Sequence, residues 1–294
     1  MNPRIFFSVL SAIIFGWIAA GTYASSQHLE QPVFLDHYFK DYADEQLQMQ
    51  FYYLTNSGDN KTINFVELGD IPAFVDGYHE MFMEGTPYVQ RYGPHELRTV
   101  SVTLDSYELS QLKEKVTVNE MTVYLSDGES FVADIGEIII YPEELSAKTY
   151  VSQNSSSGDW TASYLQAEEK ISILGMNPHM PDAVLESMKV HVPQSEDMIF
   201  SQTNYVQALE EQLNDGKGKE YQDLDYPVNL DKGEGFAISI QNKGDAKFVL
   251  DSWLMIEGED QNGSVIQFPA YLYHIPQLTG KNVKAIIESK GAGE

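Results

Sequence analysis

The sequence predicts a mainly β protein: two antiparallel β-sandwich domains, Ig-like or jelly-roll-like, with a few short packing helices, behind one N-terminal transmembrane helix. Three observations predict it. Apolar residues alternate with polar ones at period two in several runs, Asx- and Gly-rich turns stand between those runs, and one uncharged apolar stretch opens the chain.

The opening stretch is Ile5 to Tyr23, interrupted only by Ser and Thr and preceded by Arg4. About 19 residues at 1.5 Å rise match the hydrocarbon thickness of a bilayer. Arg4 on the short leading side places residues 1–4 in the cytoplasm and the rest of the chain outside. Small residues at Thr22-Tyr23-Ala24 and Ala24-Ser25-Ser26 keep a cleaved signal peptide as the alternative, in which the protein is secreted. No Cys follows the run, which excludes a lipoprotein anchor.

Four hairpins are expected after residue 27. Leu47, Met49, Phe51 and Tyr53 alternate with glutamines up to the turn Asn56-Ser57-Gly58-Asp59-Asn60, and Ile63 and Phe65 resume the pattern. Met121, Val123 and Leu125 lead through Ser126-Asp127-Gly128-Glu129 to Phe131, Ala133 and Ile135. Phe236, Ile238 and Ile240 lead through 242–245 to Phe248 and Leu250, and Trp253 to Ile256 connects through 257–263 to Val265 and Phe268. Helices are expected at Ser106 to Lys115, at Thr203 to Asn214 and at Thr279 to Ser289, the last capped by Thr279. The run Asn154-Ser155-Ser156-Ser157-Gly158-Asp159 reads as a linker, dividing the ectodomain into 27–150 and 151–294, the second domain carrying the C-terminal helix. A single larger sandwich with that run as a loop is the alternative.

Composition narrows the function. The chain has 44 acidic against 18 basic residues, a net charge of −26, and no basic cluster, which argues against a nucleic-acid partner and disfavours an anionic lipid surface. With no cysteine there is no disulfide, thiolate metal site or Cys nucleophile. The seven histidines are scattered without metal-ligand spacing; His28 and His37 fall before the first expected strand, His179 in a Pro-bounded loop, and His191 and His274 read as partly buried strand residues. Calcium suits the hard oxygen donors better, with Glu257, Glu259, Asp260 and Asn262 as candidate ligands and Asp223 and Asp225 as a lesser group, although neither has EF-hand spacing. No nucleophile elbow, Ser-x-x-Lys motif or phosphate loop is present, so no catalytic residue is nominated and no organic cofactor is implied. Tyr88, Tyr92, Trp160, Tyr164, Tyr221 and Tyr226 stand near Gly, Pro or Ser and read either as surface platforms or as core tyrosines at sandwich corners.

On its N-terminal segment and on hairpins such as Phe236 to Leu250, the chain resembles membrane-anchored extracytoplasmic proteins of Gram-positive bacteria with β-sandwich ectodomains. The expected function is a non-catalytic binding or accessory ectodomain at the cell envelope, engaging an envelope polymer or a neighbouring membrane protein. A secreted envelope hydrolase of the carboxylate-based glycosidase type is the alternative.

Overall fold

The computed structural model describes residues 10, 13–17, 21–22, 27–43, 47–75, 90–142, 150–157, 160–177, 180–191, 218–241 and 246–290. The chain is mainly β, with one large and one small sheet. The strands are β1 (Val33–Phe34), β2 (Asp36–Tyr42), β3 (Gln48–Asn56), β4 (Ile63–Leu68), β5 (Ile71–Val75), β6 (Gln90–Tyr92), β7 (His95–Leu104), β8 (Val116–Leu125) and β9 (Ser130–Tyr141), followed by β10 (Tyr150–Ser157), β11 (Trp160–Ala167), β12 (Ile171–Asn177), β13 (Met188–His191), β14 (Val228–Leu230), β15 (Gly235–Gln241), β16 (Phe248–Asp260) and β17 (Val265–His274).

The large sheet runs β1-β3-β7-β5-β4-β8-β9-β2-β16-β12-β14. Since β1 and β2 are separated by Leu35 alone, the strands from β1 to β2 form a closed ring. The extended segment 33–42 pairs with β3 at its start and with β9 from His37 onward. Closure satisfies strand edges that would otherwise be open. Two contacts secure the seam: the Leu35 N–H donates to Tyr52 O at 3.0 Å, and the Tyr52 N–H donates to His37 Nε2 at 2.8 Å. Inside the ring lie Phe34, Phe39, Phe51, Val66, Met121, Ile135 and Ile138, with Leu278, Val283 and Ile286 of the terminal helix in the same core.

β2 is also the wall shared with the second core. Its residues Asp36–Phe39 pair with Phe248–Asp251 of β16. Alternation sends Phe39 into the first core, while Tyr38 packs against the second. The second core lies between two layers. Ile171 and Ile173 of β12, Leu250, Leu254 and Ile256 of β16 and Leu272 of β17 come from the large sheet, and Leu165, Val190, Phe236 and Ile238 from the small sheet, whose order is β10-β11-β15-β13.

Several expectations are corrected. Pairing is not antiparallel throughout, because β2 is parallel to both β9 and β16, neither of which it joins through a turn. The hairpins β8–β9 and β16–β17 form as expected, with Gly128 (φ +89) and Gly263 (φ +77) supplying the left-handed residue of each turn. The other two do not. β3 pairs with β7, and β4 pairs with β5 and β8. Likewise β15 pairs with β11 and β13 in the small sheet while β16 stays in the large one. A turn reverses the chain, but a strand with one apolar face is equally satisfied by any partner that covers that face. The stretch Asn154–Ser157 is no linker: it lies in β10, paired residue by residue with β11.

The helix expected over Ser106 to Lys115 is Ser106–Ser110, with the Asp105 carboxylate accepting from the Tyr107 and Glu108 N–H groups. The terminal helix is Gly280–Lys290. At its start the Thr279 N–H donates to Asn282 Oδ1 at 2.9 Å and the Asn282 N–H to Thr279 Oγ1 at 3.3 Å, a reciprocal cap. At its end Lys290 Nζ meets Asp36 at 2.6 Å and donates to Asp134 O at 3.0 Å. Although it follows the second core in sequence, this helix closes the first.

The helix expected at 203–214 lies outside the described residues. So do residues 1–4 and part of the expected span 5–23. Residues 10, 13–17 and 21–22 are helical, with Ile13, Ile14, Phe15 and Trp17 exposed. Among the described residues no helix is long and apolar enough to cross a membrane.

Candidate functional site

The fork in the large sheet creates the site. One edge of segment 33–42 faces β3 at Val33–Phe34 and then β16 at Asp36–Phe39. Beyond that point β3 and β16 diverge, and a cleft of about 200 Å³ opens between them. Its floor is apolar, made by Phe39, Met49 and Val249 from the first core. Its walls are polar: Gln48, Gln50 and Tyr52 from β3, Ser101 from β7, and Asp251 and Tyr273 from β16 and β17.

Each wall residue is placed by strand register. Gln48 and Gln50 occupy the solvent side of β3, while Met49 and Phe51 between and beyond them turn inward. Ser101 is the cross-strand partner of Gln50. Asp251 is level with Phe39 on one side and Tyr273 on the other, two residues beyond the buried Val249. It is therefore a lone acid at the margin of an apolar strand.

That position sets its chemistry. Burial holds the Asp251 carboxyl above the usual carboxylate range, and the nearby Asp41 charge pushes it further. The Tyr271 hydroxyl donates to Asp251 Oδ1 at 2.5 Å and opposes the rise. Tyr271 and Tyr273 are themselves pushed up, by burial first, so both phenols stay neutral donors. The Tyr52 hydroxyl donates to Gln50 Oε1 at 3.2 Å. Past the acid, Trp253 stacks on Tyr42 with ring centroids 5.3 Å apart and planes 2° apart, and Tyr141 lies 5.1 Å from the same indole.

The walls thus combine amides, phenols and a hydroxyl, which both donate and accept, with the Asp251 carboxyl, whose pKa burial raises. Such a set can hold an uncharged, hydroxyl-rich ligand over an apolar floor. General acid–base hydrolysis of a glycoside needs two carboxyls on opposite sides of the bond, and among the described residues Asp251 is the one that lines this cleft.

The residues singled out from sequence fall elsewhere. Asp260 is consumed by its turn, its Oδ1 accepting from the Asn262 and Ser264 N–H groups at 2.8 Å each. Those bonds hold its pKa down. Glu257 Oε1 accepts from Gln267 at 3.3 Å, and Asp225 stands 3.8 Å from Lys219. Among the described residues no group of three or more His, Asp or Glu side chains is placed to hold a metal ion, so Glu257, Glu259 and Asp260 are not brought together as one.

Of the six aromatics, Trp160 and Tyr164 are buried, not surface platforms. Tyr92 packs on the first core with its hydroxyl on Leu278 O at 3.1 Å, and Tyr226 packs on the second. Tyr88 and the Tyr221 side chain, like His179, lie outside the described residues. His37 does not precede the strands but is fully buried in β2, where burial and the Lys290 charge lower its pKa to about 3. His191 and His274 are buried in strands as expected, each lowered by burial to about 4.

Sequence reasoning missed Gln48, Gln50, Asp251, Tyr271 and Tyr273. One signal was present: Asp251, with Ser252, interrupts the otherwise apolar run from Phe248-Val249-Leu250 to Trp253-Leu254-Met255-Ile256.

No protein-family description matches the sequence, and no curated protein is similar to it. Solved structures align only distantly. A structure described as manganese lipoxygenase of Gaeumannomyces graminis with partial zonadhesin of Komagataella pastoris matches at TM-score 0.22 and 8% identity, covering 84% of this chain and 94% of that one. The CupB2 chaperone of Pseudomonas aeruginosa matches at 0.18 and 9%, covering 82% and 100%. The Dpr11 IG1 complex with DIP-gamma matches at 0.17 and 7%, covering 83% and 98%. Scores this low carry no argument about fold or function.

Proposed function

We propose that the protein is a membrane-anchored extracytoplasmic binding or accessory module, engaging an envelope polymer or a neighbouring membrane protein through the cleft between β3 and β16–β17. The observation that carries this reading is the cleft itself: a polar-walled, apolar-floored recess at a fork in the sheet, with Asp251 as its one acid among the described residues. Exposed apolar side chains at Ile13, Ile14, Phe15 and Trp17 support attachment to lipid. The net charge of −26 supports an uncharged or cationic partner over an anionic one.

The test is retention of the full-length, detergent-solubilised chain on immobilised envelope polymers and on solubilised membrane protein. Loss of retention on Gln50→Ala supports the cleft as the contact. Retention by none of these materials overturns the reading.

The alternative, a carboxylate-based hydrolase, draws on the Asp41 charge, which acts on Asp251 and raises its pKa alongside burial. Release of reducing ends from a glycan by the wild type, abolished in Asp251→Asn, would favour it.

A further inference from the structure

The cleft does not end at its rim. Gln48, on its wall, is the cross-strand partner of Thr103, Thr103 of Phe74, Phe74 of Phe65, and Phe65 of Tyr124. These five form one continuous row across β3, β7, β5, β4 and β8, on the outer face of the ring. Their sequence neighbours Met49, Val102, Ala73, Val66 and Val123 are the buried ones. At about 4.8 Å per strand the row extends roughly 19 Å from the cleft.

Its aromatic part is an exposed Phe74 beside the half-buried Phe65 and Tyr124. Phe74 is 54% exposed, and the Phe65 ring lies 5.5 Å from both Phe74 and Tyr124. A second row beside it holds Pro72, Glu67, Thr122 and Val132, the last 58% exposed. Glu67 is the one charge in the two rows, and its Oε2 accepts from the Tyr124 hydroxyl at 3.0 Å. On a chain of net charge −26, a strip almost free of charge is matched to a ligand that carries none.

We infer that the cleft and this strip together bind one linear, uncharged polysaccharide: rings of Phe74, Phe65 and Tyr124 stack on sugar faces while Gln48, Gln50 and Asp251 hydrogen-bond a terminal or bent unit in the cleft. The inference rests on the binding reading above and names its ligand class. Sugar faces are apolar and sugar edges are hydroxyl-rich, which is the same division as rings on the strip and amides in the cleft. An anionic polymer meets the opposing field of the whole chain. The strip is long enough for several pyranose units, so affinity rises with chain length until the row is filled.

The experiment uses full-length protein in detergent, titrated with a soluble neutral β-glucan, with the oligosaccharides cut from it, and with a polyuronate of similar length. The neutral polymer binds and the polyuronate does not. Phe74→Ala and Gln50→Ala each weaken the affinity by at least about tenfold. Val265→Ala, at a more exposed apolar residue at the start of β17 off the strip, leaves it unchanged. Wild-type affinity in both Phe74→Ala and Gln50→Ala overturns the inference. Binding to the polyuronate or to a membrane protein, without binding to the neutral glycan, overturns it while leaving the binding-module reading in place. Concentration-dependent self-association abolished by Phe74→Ala assigns the strip to a second copy and also overturns it. Retention of no polymer or protein removes both readings.

Discussion

Acidification from pH 7 to pH 5 is expected to destabilise the fold sharply, because His37, His191 and His274 are buried in their neutral forms. Each has a folded pKa below its unfolded value near 6.5: about 3 for His37 and about 4 for His191 and His274. A depressed pKa contributes stability that is present above the unfolded value and is lost as pH falls from about 6.5 toward the folded value. At pH 5 the unfolded chain has taken up nearly all three protons and the folded chain almost none. Each histidine then forfeits about 2 kcal/mol relative to pH 7, an upper sum of about 6 kcal/mol. Relief of repulsion in a chain of net charge −26 offsets part of that sum, bringing the net loss to about 3 kcal/mol. His37 contributes most securely, since it is fully buried and its Nε2 accepts the Tyr52 N–H across the ring seam. Protonation there would set two donors against each other. With a urea m-value of about 2 kcal/mol/M, the midpoint falls by roughly 1.5 M between pH 7 and pH 5, read by tryptophan fluorescence. His37→Gln, which retains an acceptor but does not titrate, shrinks that difference. An unchanged midpoint across the interval, in wild type and variant alike, would refute the reasoning.

The remaining predictions are local. Gly136 has φ +91, and a Cβ there would meet the His37 carbonyl oxygen at 2.6 Å and its nitrogen at 2.7 Å, so Gly136→Ala costs about 3 kcal/mol or more in urea unfolding. Asp251→Asn keeps the shape of the side chain and removes the cost of ionising a buried acid. A raised folded pKa gives stability that is present at low pH and lost as pH rises, so this variant gains stability over wild type at pH 7.5 and not at pH 3.5. Asp105→Ala removes the acceptor from the Tyr107 and Glu108 N–H groups and costs about 1 kcal/mol, measured by the same unfolding midpoint.

What the sequence made legible was local in origin. Period-two alternation identified β3, β8 and β9 because each has one face on a core, and Gly128 and Gly263 marked the two tight hairpins because their turns need a left-handed residue. Thr279 marked the start of the terminal helix for the same kind of reason. Which strands pair was not legible at Asn56–Asn60 or at 242–245. A polar turn is compatible with a hairpin or with a crossing to a distant strand, and the choice is made by long-range burial. The cleft was illegible because its residues lie far apart in sequence, from Phe39 to Tyr273, and converge only where β2 changes partners. His37 was misplaced since its neighbours Asp36, Lys40 and Asp41 are polar or charged, while its own burial depends on β9 and β16 lying on either side and on Tyr52 of β3 meeting its ring.

The parallel placement of β2 is what makes the two cores depend on one another. A strand that sends Phe39 into one core and Tyr38 to the other cannot shift register without moving both sets at once. The terminal helix adds a second tie, since the chain leaves the second core at β17 and returns Leu278, Val283 and Ile286 to the first. The cleft lies beside the first of these ties, with β3 on one wall and β16–β17 on the other. A ligand held between Gln50 and Asp251 therefore contacts strands from both sides of the fork, and its binding free energy adds directly to the work of separating them. On the binding reading proposed above, occupancy of the cleft and cohesion of the two cores would be a single linked equilibrium.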